Sequence, residues 1–158
     1  FAEWNLGQFD ATLSWQDVEW IKQRWGGKII LKGIMDIDDA RMAVAAGVDA
    51  LIVSNHGGRQ LDGAPSSISV LKDIVDAVGH EIEVHMDSGI CSGQDVLKAL
   101  AIGARGVYIG RAFLYGLGAL GREGVISSLS IIKKELDITM ALCGITDVQA
   151  LNRDVLYE

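Results

Sequence analysis

The 158-residue sequence lacks the features that mark several common classes of protein. Positive charge is scarce, because 14 Lys and Arg stand against 21 Asp and Glu and leave a net charge of −7. Nucleic acids and anionic membranes are polyanions that need a basic surface, so neither is expected as a partner. An anionic small molecule remains compatible with this composition, since a few local Lys and Arg residues suffice to hold one.

Cysteines and long apolar runs are also few. The two cysteines, Cys91 and Cys143, are too few and too isolated for a disulfide framework and are typical of a reducing cytoplasm. No run approaches the roughly 18 uncharged apolar residues of a membrane span. The N-terminus has no signal-peptide pattern. It also lacks an initiator Met, which suggests that the sequence begins inside something longer.

What the sequence does contain is the composition of a folded domain, with 49% hydrophobic and 22% charged residues. Four short apolar runs alternate with helical patterns. The predicted strands are residues 28–33, 50–55, 83–87 and 106–110, and the predicted helices begin at Asp36, Ser66, Ser92 and about Glu123, with a short helix near 146–152. Repeated β–α alternation predicts right-handed crossovers and a parallel sheet.

Two stretches of the chain resemble each other two β–α units apart, residues 43–53 and 99–109. Such self-similarity is typical of a (β/α)8 barrel, of which four units make one half. The predicted fold class is therefore α/β, half of a TIM barrel. On pattern alone, a doubly wound open sheet is the alternative.

Reactive residues of parallel α/β folds lie at the carboxyl ends of the strands. In this sequence those ends carry Lys32, then Ser54 and His56, then Asp87 and Gly89, then Gly110 and Arg111. We expect this set to converge on one face of the sheet.

His56 precedes two glycines, with Arg59 three positions further on. A histidine so placed can accept a proton near neutral pH, and the planar guanidinium of Arg59 can hold a carboxylate through two hydrogen bonds. For either residue alone, a solvated surface turn is the alternative.

The last two strand ends are predicted to hold a phosphate. Gly89 and Gly110 allow close approach to the backbone, Arg111 supplies charge, and a helix start offers free N–H groups. Simple turn chemistry is the alternative. Lys32 ends an otherwise apolar strand, where burial is costly without an anion, so an anionic cofactor is predicted as its partner. Its alternative is a surface lysine that extends out of the barrel end.

Four motifs together resemble the FMN-dependent 2-hydroxy-acid dehydrogenase and oxidase family. They are Leu31-Lys32-Gly33, residues 54–62 (Ser-Asn-His-Gly-Gly-Arg-Gln-Leu-Asp), Asp87-Ser88-Gly89-Ile90 and Ile109-Gly110-Arg111. Thr12-Leu13-Ser14-Trp15 and residues 136–144 also match, so the resemblance covers nearly the whole chain. The family includes glycolate oxidase, flavocytochrome b2, mandelate dehydrogenase and bacterial L-lactate dehydrogenase.

The resemblance implies that residues 1–158 form one domain, the C-terminal half of a TIM barrel (strands 5–8) with a C-terminal helical extension. It implies FMN as cofactor and oxidation of an L-2-hydroxy acid to the 2-keto acid, with L-lactate preferred over mandelate. The implied partners are this small acid, the missing N-terminal half of the barrel, and copies of the protein, since relatives often form tetramers. The implied location is cytoplasmic, with segments outside this sequence as a route to the inner membrane face.

The resemblance also assigns roles to residues. His56 would be the active-site base, Arg59 would bind the substrate carboxylate, and Lys32 would stabilise the reduced flavin. The implied FMN contacts are Lys32, Ser54, Asp87, Gly89, Gly110 and Arg111, and no metal is implied.

One position departs from the family pattern. The family usually has Arg where Cys91 stands, two residues after Gly89, and that Arg contacts the flavin phosphate. Losing a hydrogen bond to a charged group costs about 1.5–3 kcal/mol, so weaker FMN binding is predicted. The alternative is that backbone N–H groups of this loop hold the phosphate instead.

Two other functions stay compatible with the sequence. One is a catalytically inactive half-barrel that binds FMN or phosphate, or serves in assembly, without turnover. The other is a phosphate-binding barrel of the isomerase or synthase type. The latter shares the glycine-rich strand ends but does not explain His56 together with Arg59.

Overall fold

The computed structural model describes Asp10 and residues 12–157. Helices and strands alternate along these residues. The helices are α1 (Trp15–Trp25), α2 (Ile37–Ala45), α3 (Ser67–Val78), α4 (Gly93–Ile102) and α5 (Arg111–Leu142), and the strands are β1 (Ile30–Ile34), β2 (Ala50–Val53), β3 (Glu83–Met86) and β4 (Gly106–Val107). Three short 3-10 turns occupy His56–Gly58, Val148–Ala150 and Arg153–Val155.

The four strands form one parallel sheet in the order β1-β2-β3-β4. Right-handed crossovers between strands that are neighbours in both sequence and space put the connecting helices on one side of the sheet. A doubly wound sheet would reverse its strand order at a switch point, and these four strands do not. The predicted parallel α/β architecture is confirmed, while the sheet of the described residues is open, with β1 and β4 at its edges.

The hydrophobic core lies between the sheet and its helices. Leu51 and Val53 of β2 and Val84 of β3 are fully buried there against Leu71 and Ile74 of α3. Burial of a side chain of this size stabilises a fold by roughly 1.5–3 kcal/mol. The opposite face of the sheet is open only in part, because Ala50 and Ile52 of β2 are buried there as well.

That open face carries a different set of side chains. Ile30 is 49% exposed, Tyr108 is 41% exposed, and the side chain of Lys32 is 44% exposed. The sheet therefore has one covered face and one face that is accessible along β1 and after β4. This difference places the polar residues of the strand ends on the accessible side.

Local sequence explains where the helices begin. The Asp36 carboxylate accepts a hydrogen bond from Asp38 N at 2.8 Å and starts α2. Ser92 and Asp95 form a capping box at the start of α4. Ser66 precedes α3, but its side chain makes no capping hydrogen bond.

The C-terminal part differs from the prediction in two respects. Strand β4 pairs over two residues only, not over 106–110. Helix α5 begins at Arg111 instead of near Glu123, and it is interrupted at Leu120 (φ −136°) and Gly121 (φ 59°). Its two parts pack so closely that a Cβ on Gly116 or Gly124 would overlap the backbone of the other, so this contact requires glycine.

Helix α1 is absent from the prediction. Ser14 and Asp17 do form a capping box, with Ser14 N donating to Asp17 Oδ2 at 2.7 Å. None of the residues Trp15–Trp25 is fully buried, however, and six of these eleven residues are polar or charged, so no apolar run marks the helix in the sequence. The helix is attached to α2 by Lys22, whose Nζ donates to the carbonyl oxygens of Ala46 (3.2 Å) and Gly47 (2.6 Å).

Candidate cofactor and substrate site

The carboxyl ends of the strands surround one open cleft. Seven of the eight predicted site residues line it: Lys32, His56, Arg59, Asp87, Gly89, Gly110 and Arg111. The eighth, Ser54, is buried and lines an adjoining cleft that shares Lys32 and His56 with the first. The structure thus brings the predicted set together, while the role of each residue stays a prediction.

An ion pair lies at the centre of the cleft. Lys32 Nζ is 2.9 Å from Asp87 Oδ2 and donates to Ser54 Oγ at 2.8 Å. Asp87 of the same chain thus supplies a negative charge beside Lys32, while the anionic cofactor that the sequence suggested as its partner stays a prediction. Burial is also milder than expected, since the Lys32 side chain is 44% exposed.

The environment of Asp87 favours its ionised form. Burial raises the pKa of this carboxyl, but hydrogen bonds from Ser54, Lys32 and Ser88 and the charge of Lys32 outweigh burial, so the pKa stands below its ordinary value. Asp87 is therefore a carboxylate at neutral pH. Together with Lys32 it offers a polar ligand both a hydrogen-bond acceptor and a cation.

The loop after β2 holds His56 at the mouth of the cleft. His56 has a φ of 57°, which is uncommon outside glycine, and such conformations cluster at functional sites. The Asn55 side chain fixes the turn, because its Oδ1 accepts from Gly57 N at 3.0 Å and its Nδ2 donates to the Pro65 carbonyl at 3.1 Å. The side chains of His56 and Arg59 are exposed at the cleft.

Ser88 connects this loop to the loop after β3. Its Oγ accepts from Gly57 N at 3.0 Å and donates to Asp87 Oδ1 at 2.8 Å. Neither Ser88 nor Asn55 had a predicted role. Both are turn-forming residue types, and each is the second residue after its strand, which was the available signal. Their partners could not be predicted from that signal.

Two helices begin beside the cleft, and the first of them, α4, already has anionic partners. Cys91 N and Ser92 N donate to Asp95 Oδ2 at 3.0 and 2.9 Å. Gly93 N donates to Glu135 Oε2 of α5 at 2.9 Å. These carboxylates already bind three N–H groups at this helix start. The alternative in which other backbone N–H groups of this loop hold the phosphate stays a prediction.

The start of α5 is different. Its N-cap is Gly110, which brings no capping side chain, and the first N–H groups of any helix lack intrahelical partners. A Cβ built on Gly110 or Gly89 would meet no atom within 4 Å, so open space adjoins both glycines. Arg111 Nη2 is 3.5 Å from the Gly57 carbonyl oxygen, a marginal hydrogen bond that leaves the guanidinium available. These groups fit a phosphate.

Comparison with known proteins identifies the family to which this chain belongs. The family described as FMN-dependent dehydrogenase matches residues 1–158, so the chain belongs to that family, whose cofactor is FMN. Similar proteins include the L-lactate dehydrogenase of Azorhizobium caulinodans, 50% identical over 156 residues, which are 99% of this chain and 41% of the relative. The L-lactate dehydrogenase of Caulobacter vibrioides is 47% identical over 158 residues, or 100% and 41% of the two chains.

A solved structure is also closely similar. The (S)-mandelate dehydrogenase described as a monotopic membrane protein superposes with a TM-score of 0.92 at 42% identity, over 99% of this chain and 41% of that one. The resemblance inferred from the motifs is confirmed. The chain spans about two fifths of the length of the relatives it matches.

The comparisons bear on the expected location in part. The mandelate dehydrogenase that superposes on this chain is described as a monotopic membrane protein, which agrees with the expected route to a membrane face and does not support a purely cytoplasmic location. Over residues 12–157, no helix combines the length and apolarity that crossing a membrane requires.

Proposed function

We propose that this chain supplies FMN-binding and catalytic groups to an enzyme that oxidises an L-2-hydroxy acid to the 2-keto acid. One observation carries the proposal: a candidate base, a candidate carboxylate anchor and a phosphate-type cradle line a single cleft in a member of this family. L-lactate is the preferred substrate because relatives at 47–50% identity are L-lactate dehydrogenases.

Different residues of the cleft would bind different parts of the cofactor. Gly89, Gly110 and Arg111 would hold the phosphate, where the open start of α5 adds its dipole to the charge of Arg111. Asp87 and Ser54 would bind the ribityl and ring portions. FMN supplies the acceptor for the two electrons that leave the substrate. Lys32, already oriented by Asp87 and Ser54, would place a cation where negative charge develops.

The substrate would be handled by the loop after β2. His56 would accept the proton of the substrate hydroxyl, and Arg59 would hold the substrate carboxylate through two hydrogen bonds. Both residues belong to one loop that Asn55 and Ser88 fix to its surroundings. The base and the anchor therefore keep a defined relation to each other, which lowers the entropic cost of orienting the substrate.

We also infer that residues 1–158 are the C-terminal half of a (β/α)8 barrel, equivalent to strands 5–8. Support comes from the unbroken strand order, the accessible face that bears Lys32 and Tyr108, and the open edges at β1 and β4. An N-terminal half would pair with these edges and cover the face. Further copies of the protein would be partners at the outer surface.

The test is the visible absorption spectrum of the purified full gene product, before and after anaerobic addition of L-lactate. We expect flavin bands that bleach with L-lactate, more slowly with (S)-mandelate, and not with D-lactate. His56→Gln should keep the flavin bands but bleach at least ~100-fold more slowly, as expected for loss of a general base.

The other outcomes separate the alternatives. Flavin bands that no 2-hydroxy acid bleaches would contradict the activity and leave a flavin-binding module without turnover. A colourless protein that takes up no added FMN would contradict cofactor binding as well.

A further inference from the structure

A second polar cluster lies on the accessible face of the sheet and has no role in the proposed reaction. It consists of Glu83 and His85 on β3 and Tyr108, which follows β4. His85 Nε2 is 3.3 Å from Glu83 Oε2, and His85 Nδ1 is 3.4 Å from the Tyr108 hydroxyl. The two aromatic rings are 5.7 Å apart at 34°. The three side chains form a continuous hydrogen-bonded chain.

Strand geometry fixes the position of His85. Val84 and Met86 point into the core and are buried, so His85 between them points to the accessible face. Its register partner on β4 is Gly106. A Cβ on Gly106 would lie 2.9 Å from His85 Nδ1, so the glycine provides the space in which the imidazole lies across β4.

Tyr108 connects this cluster to the cofactor cleft. It lines the same cleft as Asp87 and Arg111 and is 41% exposed, whereas the side chain of His85 beneath it is only 16% exposed. The phenol ring thus faces the cleft on one side. Its hydroxyl is in contact with the imidazole on the other.

The donors and acceptors of this chain follow from the chemistry of its members. An ionised carboxylate only accepts, so Glu83 selects the neutral imidazole tautomer with its proton on Nε2. Nδ1 is then an acceptor, and Tyr108 donates to it while its oxygen lone pairs stay available to the cleft. A protonated imidazole donates from both nitrogens, which releases the Tyr108 O–H to donate to the cleft instead.

We propose that Glu83 and His85 determine whether Tyr108 presents a hydrogen-bond acceptor or a donor to the cofactor cleft, and that protonation of His85 strengthens binding of the anionic cofactor. Tyr108 would touch FMN, while His85 and Glu83 are positioning residues that act through it. The inference rests on the proposed function, since it takes FMN as the occupant of the cleft.

Other charged groups surround the cluster and set the design of the test. On the cleft side they are Lys32, His56, Arg59, Asp87 and Arg111. Around Glu83 they are Asp49, His80, Glu81 and Arg105, together with Lys28, whose pKa Glu83 helps to raise. The FMN phosphate and the other charged groups of the cleft contribute a pH dependence of their own. The pH dependence of FMN affinity in the wild type alone therefore does not identify the group responsible. Comparing it between the wild type and variants isolates the contribution of His85.

The experiment measures FMN binding to the flavin-free full gene product by fluorescence titration at pH 6 and pH 8. The proteins are the wild type, His85→Gln, Tyr108→Phe, the double variant and His80→Gln. His80 is a matched control, because it also contacts a glutamate, Glu81, at 3.4 Å, but it is exposed at the other end of β3.

On going from pH 8 to pH 6, FMN affinity should rise about two- to tenfold more in the wild type than in His85→Gln, the equivalent of one hydrogen bond. Tyr108→Phe should lose the same increment, the double variant should lose no more than either, and His80→Gln should behave as the wild type. Tyr108→Phe removes only a hydroxyl, so it preserves the comparison if the His85 variant fails to fold.

Two results would overturn the inference, and they differ. Equal pH dependence in the wild type and Tyr108→Phe would overturn the role of the cluster and leave FMN binding intact. A wild-type protein that binds no FMN at either pH would overturn the proposed function, and this inference with it.

Discussion

The two helix starts beside the cleft, those of α4 and α5, present the same backbone groups and use them differently. At α4 the N–H groups of Cys91, Ser92 and Gly93 are bound by carboxylates of the chain itself. At α5 the N-cap is a glycine without a capping side chain. A helix cap contributes about 1 kcal/mol to stability. Capping therefore stabilises the start of α4. The start of α5 lacks this stabilisation, and its N–H groups stay available to an anionic ligand.

The largest effect on FMN affinity should come from placing a carboxylate at the start of α5. Gly110→Asp places a carboxylate beside the predicted phosphate position, where like charges repel, and space for the side chain exists. We expect FMN affinity to fall about 100-fold or more, since this exceeds the loss of one hydrogen bond to a charged group. Gly110→Asn, which matches the size without the charge, should lose clearly less. Equal losses in the two variants, measured by FMN titration, would contradict an anion site at α5.

The next largest effect should come from adding a side chain at Gly93, at the start of α4. A side chain on Gly93 would overlap the backbone of Leu136 in α5, so Gly93→Ala should push α4 and α5 apart. Overpacking of this kind costs roughly 1–3 kcal/mol in the free energy of unfolding. Gly118→Ala in α5, where a Cβ meets nothing within 4 Å, is the control and should be neutral or stabilising. Denaturant unfolding compares the two, and equal midpoints would show that the contact carries no strain.

A smaller effect on FMN affinity is expected from placing a cation beside the start of α4. Cys91 is exposed and lines the cleft two residues after Gly89, where the family usually has Arg. Cys91→Arg should tighten FMN binding about tenfold, the lower range for a hydrogen bond to a charged group. Cys143→Arg adds the same charge at an exposed site after α5 and should leave the affinity unchanged. If both variants tighten binding equally, net charge and not a local contact is responsible.

The smallest effect should be the loss of the stabilising contribution of Asp87 at low pH. The pKa of Asp87 is depressed in the folded protein, so its contribution to stability is fully present above the ordinary value of 3.8 and is lost as the pH falls through the lower folded value. The difference in unfolding free energy between the wild type and Asp87→Asn should therefore shrink between pH 6 and pH 3. A difference that stays constant over this range would show that the ion pair with Lys32 does not stabilise the fold.

The sequence predicted the convergence of the site but not its internal contacts. Lys32, His56, Asp87 and Arg111 were expected together because the carboxyl ends of neighbouring parallel strands meet at one edge. The pairing of Lys32 with Asp87 was not expected, since it depends on side-chain conformations across two strands.

For the fold too, the sequence predicts the arrangement of strands and helices but not the details that depend on packing. The alternation of strands and helices follows from apolar periodicity, which the sequence displays. The interruption of α5 at Gly121 does not, because the surrounding region holds several glycines, and only their packing decides which adopts a positive φ. Helix α1 was missed because polar and charged residues dominate it, and only Trp15 and Val18 among its residues pack, partly buried, against the core.

The glycine beneath His85 has an evolutionary consequence. Since a Cβ at position 106 would press on the imidazole, His85 is accommodated best where position 106 is already glycine, and a later loss of that glycine would displace the histidine. Positions 85 and 106 should therefore change together among descendants of a common ancestor. The order of those changes is constrained too, with the small residue on β4 preceding the histidine on β3.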